Sequence, residues 1–199
     1  MLLDKEEYLS AGVNIGTRRK VEDMEKFIFN VKKNKLAIID LEKSDERIET
    51  AASFLSQYEP EDILIISRKE IGHKPIVKFA EATGAERIFG RFMPGTLTNP
   101  NSDEFREPEL VMVTDPEEDK QAIKEAVNAK IPIVAICDTV NKSDFIDFVI
   151  PANNKGAESL GTIFYLLARE FKKNKGLIDE DEDFDYEIEE FTAEVEEEE

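Results

Sequence analysis

A three-layer α/β/α sandwich around a parallel sheet of about five strands is the fold class this chain predicts, and three observations predict it. The stretch from Pro108 to Pro132, PELVMVTDPEEDKQAIKEAVNAKIP, holds an apolar run, an Asp-Pro corner, an amphipathic segment and a second Pro-led apolar run in immediate succession. Continuous apolar runs of the same kind recur at Ile63–Ile66, Ile133–Ile136 and Phe148–Ile150, the length of strands buried on both faces. Segments of helical spacing separate them, so each connection is long enough to cross the sheet and return parallel.

The elements follow in order. Residues 4–11 read as a short helix stopped by Gly12, and residues 12–25 as a polar, partly extended segment. Lys26–Val31 and Lys35–Leu41 flank Lys33-Asn34, which predicts a small hairpin leading into the first core strand. Ser44 is placed to cap a helix through Tyr58, with Ile48, Ala51, Ala52, Leu55 and Tyr58 on one face. After the strand at Ile63, Pro75 opens a helix with Ile76, Phe79 and Ala80 inward and Gly84 as its stop. Arg87–Phe89 is a short strand. The proline-punctuated segment from Pro94 to Pro108 has too few apolar positions for two packed helices and is expected as a surface loop. Asp115 stands where a helix N-cap belongs, with Pro116 at the first helical position and Glu117, Glu118 and Asp119 at the positive end of the dipole. Ile123, Ala126 and Val127 carry that helix toward Ala129. The last helix is expected over Gly156–Lys173, with Leu160, Ile163, Phe164, Leu167, Ala168 and Phe171 apolar.

Composition narrows the class. A single cysteine, Cys137, leaves no internal disulfide and suits a reducing compartment. The N-terminus, MLLDKEEYLSAG, lacks the basic stretch and apolar core of a secretory signal, and no apolar run approaches the ~20 residues of a membrane span. A soluble, cytoplasmic protein is expected. The formal net charge is −19, but residues 179–199 hold 14 of the 45 acids and no base. Residues 1–178 therefore carry all 26 bases against 31 acids, a balance of only −5. Such a body is unusual for a nucleic-acid binder. The bases are clustered, however: Arg18, Arg19, Lys20, Lys26, Lys32, Lys33 and Lys35 face only Glu22, Asp23 and Glu25 between Thr17 and Lys35. Screening beyond roughly 8 Å at physiological salt lets such a patch act independently of distant acids.

Several chemistries are weighed against simpler roles. Asp40, Asp115 and Asp138 fall at the C-terminal ends of strands, where a parallel sheet places ligands. An acidic trio there suits a magnesium-dependent phosphoryl acceptor of receiver type. The simpler reading makes each Asp the cap of a strand-to-helix corner. No Gly-x-Gly-x-x-Gly follows a strand and no Gly-x4-Gly-Lys-Ser/Thr is present, so no phosphate cradle is spelled out. His73, the only histidine, lacks a nucleophile nearby in sequence and reads as a polar corner residue; Cys137, inside an apolar run, reads as a small hydrophobe. One Cys and one His cannot make a zinc site. No metal, cofactor or small-molecule substrate is expected.

The Pro108–Pro132 stretch also resembles, slot by slot, a signature of the small-subunit ribosomal protein two family, which includes the eukaryotic SA or laminin-receptor precursor proteins. Pro108, Val111 to Val113, Asp115, Asp119, Ile123, Glu125 and Lys130-Ile131-Pro132 fill its positions. The resemblance spans residue 4 to about 178. It takes in Gly12-Val13-Asn14-Ile15-Gly16, Leu41-Glu42-Lys43-Ser44, Asp138-Thr139, and Phe148-Val149-Ile150-Pro151 with Asn153-Asn154. The run Arg91-Phe92-Met93-Pro94-Gly95-Thr96-Leu97-Thr98-Asn99 is of archaeal or eukaryotic type, and the helical-hairpin insertion of bacterial members is missing. Asn14 replaces a His of the bacterial pattern, so no role of that His carries over. The resemblance implies a flavodoxin-like fold and a non-enzymatic constituent of the small ribosomal subunit, placed between head and body. Ribosomal RNA and neighbouring ribosomal proteins would be its partners.

On that reading the expected RNA-binding residues are Arg18, Arg19, Lys20, Lys32, Lys33 and Lys35, then Arg87, Arg91, Thr96, Thr98 and Asn99. Residues 1–178 form the α/β domain, with 12–41 as its extended segment and basic hairpin. Residues 179–199 are expected as an acidic disordered tail, because its few apolar residues cannot offset mutual repulsion and the entropy of ordering. Phe184, Tyr186 and Phe191 are its candidate partner-binding residues, and Phe184, Tyr186 and Ile188 alternate as an added strand would.

Overall fold

The computed structural model describes residues 1–193. Two strands, β1 (Ile28–Val31) and β2 (Ala37–Ile39), form an antiparallel hairpin. Five more, β3 (Ile63–Ser67), β4 (Glu86–Phe89), β5 (Leu110–Val113), β6 (Ile133–Cys137) and β7 (Phe148–Pro151), form a parallel sheet in the order β4-β3-β5-β6-β7. This is the flavodoxin-like order 2-1-3-4-5 counted from β3, with its switch point between β3 and β5. The helices are α1 (Lys5–Ser10), α2 (Leu41–Leu55), α3 (His73–Thr83), α4 (Lys120–Ala129), α5 (Ala157–Asn174) and α6 (Ile188–Phe191).

The period-2 geometry of the strands divides the core. Ile63, Ile65, Leu110, Met112, Val134 and Ile136 point to one face, where they meet α2, α3 and α5. Leu64, Ile66, Val111, Val113, Ile133, Ala135 and Cys137 point to the other. That second face is covered by only one long helix, α4. The remainder is sealed by Met24 and Phe27 from the N-terminal segment and by Phe92 and Leu97 from the loop after β4. Irregular segments thus complete the third layer, and these same segments carry most of the predicted site residues. No helix occurs between Asn99 and Pro108, as expected of a surface loop.

Some element starts differ from the sequence reading. Asp40, not Ser44, caps α2, accepting from the Glu42 N–H at 3.2 Å; the Ser44 hydroxyl instead donates to the Pro151 carbonyl at 2.6 Å in the core. Helix α3 starts at His73, two residues before Pro75. Residues 22–27 form a 3-10 turn rather than an extended run. Helix α4 starts at Lys120 with Asp119 as its N-cap, and Asp115 caps the turn before it instead, accepting from the Glu117 N–H at 2.9 Å.

The largest departure concerns the C-terminal segment. Residues 179–193 do not run free: Phe191 is fully buried and Phe184 is 6% exposed, both within the core of the α2/α3/α5 face. Phe184, Tyr186, Phe191 and Tyr165 of α5 pack ring against ring at centroid distances of 5.2–6.5 Å. Asp181 pairs with Arg169 and Lys173 of α5, which neutralises the entry to the segment. Charge density argued for disorder; an aromatic cluster reachable only in three dimensions overrides it. The acids of residues 194–199 lie outside the described residues.

Candidate nucleic-acid interface

The basic N-terminal segment is tied to the C-terminal rim of the sheet through one buried residue, Thr139. The Thr17 N–H donates to the Thr139 hydroxyl at 2.9 Å, that hydroxyl donates to the Arg19 carbonyl at 3.0 Å, and the Val21 N–H donates to the Thr139 carbonyl at 2.9 Å. Asp23 accepts from both the Ser143 N–H and hydroxyl at 3.1 Å, which keep its carboxyl below the usual carboxylate range. Gly16 makes the crossing possible: a Cβ there would lie 2.5 Å from the Thr139 methyl and 3.0 Å from the Ala37 carbonyl. With its backbone thus consumed, the segment turns Arg18, Arg19 and Lys20 to solvent.

The hairpin adjoins it. The Ala37 N–H donates to the Thr17 carbonyl at 3.0 Å, so Arg18 leaves the sheet beside the hairpin turn. That turn closes through Lys32 and Leu36, with Lys35 at φ 67°, and exposes Lys32, Lys33 and Lys35. Six of the predicted basic residues therefore share one lobe. Lys20 also pairs with Glu25 at 2.8 Å, an exposed contact of small energetic weight.

The remaining predicted residues divide. Arg87 and Arg91 are exposed but belong to the β4 edge, about three strand spacings, or ~14 Å, from β6. Arg91 and Arg68 line a cleft of about 370 Å³ with Phe92, Pro94 and Glu118; Arg68 escaped the sequence reading because its position beside Arg91 depends on β3–β4 pairing. Thr96 is a correction: it is buried and its hydroxyl donates to the Met93 carbonyl at 2.7 Å, so it holds the loop together and offers nothing to a partner. Thr98 and Asn99 are exposed. Asn99 spends its side-chain oxygen on the Asn101 N–H at 3.1 Å.

Glu125 explains the loop. One carboxylate oxygen accepts from the Gly95 N–H and the Gln121 amide, both at 2.8 Å; the other accepts from the Leu97 N–H at 3.0 Å and lies 3.4 Å from the Thr98 hydroxyl. Burial alone would raise its carboxyl, but these donors hold it below the usual range. A helix α4 side chain thus does for the loop what a sheet partner would do for a strand.

The three strand-end acids do not form a catalytic set. Asp40 caps α2. Asp115 pairs with Lys69, accepts from Asn141 at 3.0 Å and caps the Glu117 N–H at 2.9 Å. Asp138 is fully buried and accepts from the Thr139 N–H; burial raises its carboxyl, and its second oxygen lies 4.0 Å from the Lys155 ammonium. Asp119 accepts from Arg68 N–H at 2.9 Å and Asp115 N–H at 3.1 Å, joining the ends of β3 and β5 across the switch point. These hydrogen bonds engage the strand-end carboxylates, and the cleft of Arg68 and Arg91 opens beside them with Asp119 in its lining. Among the described residues no group of three His, Cys, Asp or Glu side chains is arranged to hold a metal ion. The phosphoryl-acceptor reading is not supported. His73 stacks near Phe89 at 5.1 Å, and burial pushes the Cys137 thiol up, away from reactivity. No helix among the described residues is long and apolar enough to cross a membrane.

Phe184 and Phe191, expected with Tyr186 to bind a partner, are buried against Tyr165 of the chain's own α5, and the partly buried Tyr186 packs on both phenylalanines.

Comparison with known proteins agrees with the architecture. The family described as ribosomal protein S2 matches residues 8–105 and 101–173. The small ribosomal subunit protein uS2 of Methanococcus maripaludis is 48% identical over 186 residues, covering 94% of this chain and 84% of that protein. Its namesakes from Thermoplasma acidophilum and Thermoplasma volcanium are 47% and 46% identical over 195 residues, covering 98% of both chains in each case. With the fold, the Pro108–Pro132 signature and near full-length similarity in agreement, the chain belongs to the ribosomal protein S2 family.

Proposed function

We propose that this chain is a structural, non-enzymatic constituent of the small ribosomal subunit, acting on ribosomes in the cytoplasm. In this reading it docks between head and body, binds ribosomal RNA and neighbouring ribosomal proteins, and supports subunit assembly and translation. The observation that carries it is the near full-length similarity to proteins named small ribosomal subunit protein uS2. The lobe of Arg18, Arg19, Lys20, Lys32, Lys33 and Lys35 supports phosphate contact, since its side chains are exposed while its backbone is anchored. Arg87, Arg91, Thr98 and Asn99 make a second, separate surface for phosphate or sugar.

Co-sedimentation with small subunits in salt-washed fractions tests the reading. Charge reversal at Arg18, Arg19 and Lys20 should weaken incorporation and flatten its salt dependence by about one unit of log-log slope per lost phosphate contact. Incorporation unchanged at every salt concentration would show that the lobe does not touch RNA. Absence from the subunit fraction altogether would sink the functional assignment.

A further inference from the structure

Phe145 is the most unusual exposed residue of the molecule. Its ring is 72% exposed and its backbone sits at φ 63°, a region that bulky side chains rarely enter. Ser143 and Ile146 close the turn through a 3.0 Å hydrogen bond, and Ile146 packs inward. The left-handed turn therefore buries one neighbour and holds the phenyl ring out against α4. There it forms one wall of a groove of about 400 Å³ whose other walls include Pro116, Ile123 and the exposed Val127. Positions 120, 123, 124 and 127 of α4 follow helical spacing, so the groove runs along the helix axis, with Pro116 of the preceding turn at its end.

The rim is cationic. Lys120, Lys124 and Lys142 line it, against the single acid Asp144. Among the described residues none of these three lysines lies within ion-pair distance of a carboxylate. In a chain of net charge −19 this is a concentration of positive charge around carbon, although Lys142 also lies within electrostatic reach of Asp23. We infer that the Phe145–α4 groove is a docking site for an acidic, amphipathic segment of a partner protein, whose apolar side chain enters between Phe145 and Val127 while flanking carboxylates reach the lysines.

The composition of the groove favours a protein segment over RNA. A base stacked on Phe145 would bring its polar edges onto Pro116, Ile123 and Val127, whose side chains offer no donor or acceptor. An aliphatic or aromatic side chain has no such edges. The cations are lysines, point charges on flexible stems suited to scattered carboxylates, rather than the flat arginine forks that favour phosphate.

The test places the photo-crosslinking residue p-benzoylphenylalanine at Asn128, on the groove's edge, in the full chain within its own cells. After illumination, small-subunit and ribosome-free fractions are both analysed by mass spectrometry. The expected product is an adduct to a protein segment of net negative charge with an apolar residue at the linkage. Its yield should fall about tenfold with Phe145→Ala and with the Lys120→Glu, Lys124→Glu pair, all exposed positions whose unchanged thermal melts confirm folding. Adducts to RNA, adducts to neutral or basic segments, yields indifferent to these substitutions, or no adduct in either fraction would each overturn the inference. The subunit reading is judged separately: an acidic adduct confined to the ribosome-free fraction supports the groove while counting against that placement.

Discussion

Gly161, in the second turn of α5, offers a substitution whose sign depends on whether the C-terminal segment is docked. A methyl added there would lie 2.6 Å from the Thr192 hydroxyl and 3.0 Å from both its Cα and backbone nitrogen. Two of those three atoms are backbone, so the clash cannot be relieved by a side-chain rotation; the segment around α6 must shift. Overpacking of this kind costs about 1–3 kcal/mol. Alanine in a helix interior is itself better than glycine by about 0.5–1 kcal/mol. In the full chain Gly161→Ala should therefore destabilise by up to about 2.5 kcal/mol. In a chain ended after Lys175, the Thr192 neighbour is gone, and the same substitution should stabilise by about 0.5–1 kcal/mol. Urea unfolding of the four proteins, read by circular dichroism, gives both differences. If Gly161→Ala stabilises both chains equally, the segment does not lie against α5, and the aromatic cluster of Phe184, Tyr186 and Phe191 is not part of the native core.

Three further outcomes are expected. Phe191→Ala should lower stability by about 3 kcal/mol, as loss of a fully buried ring does, and urea denaturation showing no change would contradict its burial. Burial holds the Asp119 carboxyl up at about 6, above an ordinary value of 3.8. Its stabilising protonated form is thus fully present below about pH 4 and lost as pH rises through about 6, so the stability gap between the native chain and Asp119→Asn should be wider at pH 4 than at pH 7, by about 1–3 kcal/mol; a gap that widens with pH would refute this. Glu125→Gln should leave a donor facing a donor in the 95–98 loop, costing about 1–3 kcal/mol and speeding hydrogen exchange at the Gly95 and Leu97 amides, with no acceleration counting against the clamp.

Strands β3, β5, β6 and β7 were legible because each is a continuous apolar run with few rival conformations, buried on both faces of the sheet. Helix starts were less so, since Asp115 has every local mark of an N-cap and caps the Glu117 N–H, yet the helix begins only at Lys120 while Asp115 also serves Lys69 and Asn141, 46 and 26 positions away. The candidate site shows the same division. Exposure of the basic residues in the hairpin and at Arg18–Lys20 followed from their charge, whereas the inward turn of Thr96 depends on a carboxylate nearly thirty residues downstream. Tyr165 and Gly161 could have signalled the docked C-terminal segment: one aromatic and one glycine interrupt an otherwise ordinary apolar helix, and both mark where another chain segment crosses.

The disagreement between an acidic chain and an exposed basic lobe is resolved by the two faces of the sheet. Met24 and Phe27 plug the N-terminal segment into the face covered by α4, while Phe184 and Phe191 plug the acidic segment into the opposite face, over α5. The two anchors thus pack on opposite faces of the sheet. The aromatic residues therefore do electrostatic work by position alone: they fix where the acids are. A free tail of the same composition would sample the basic lobe and compete with phosphate for Arg18, Arg19 and Lys20. Docking residues 181–192 keeps at least the acids of that stretch on the far side of the sheet. It follows that Phe191→Ala, by releasing them, should also weaken binding of a short RNA duplex to the isolated chain, and more so at low salt than at high. Equal weakening at both salt concentrations would show that the acids never reach the lobe.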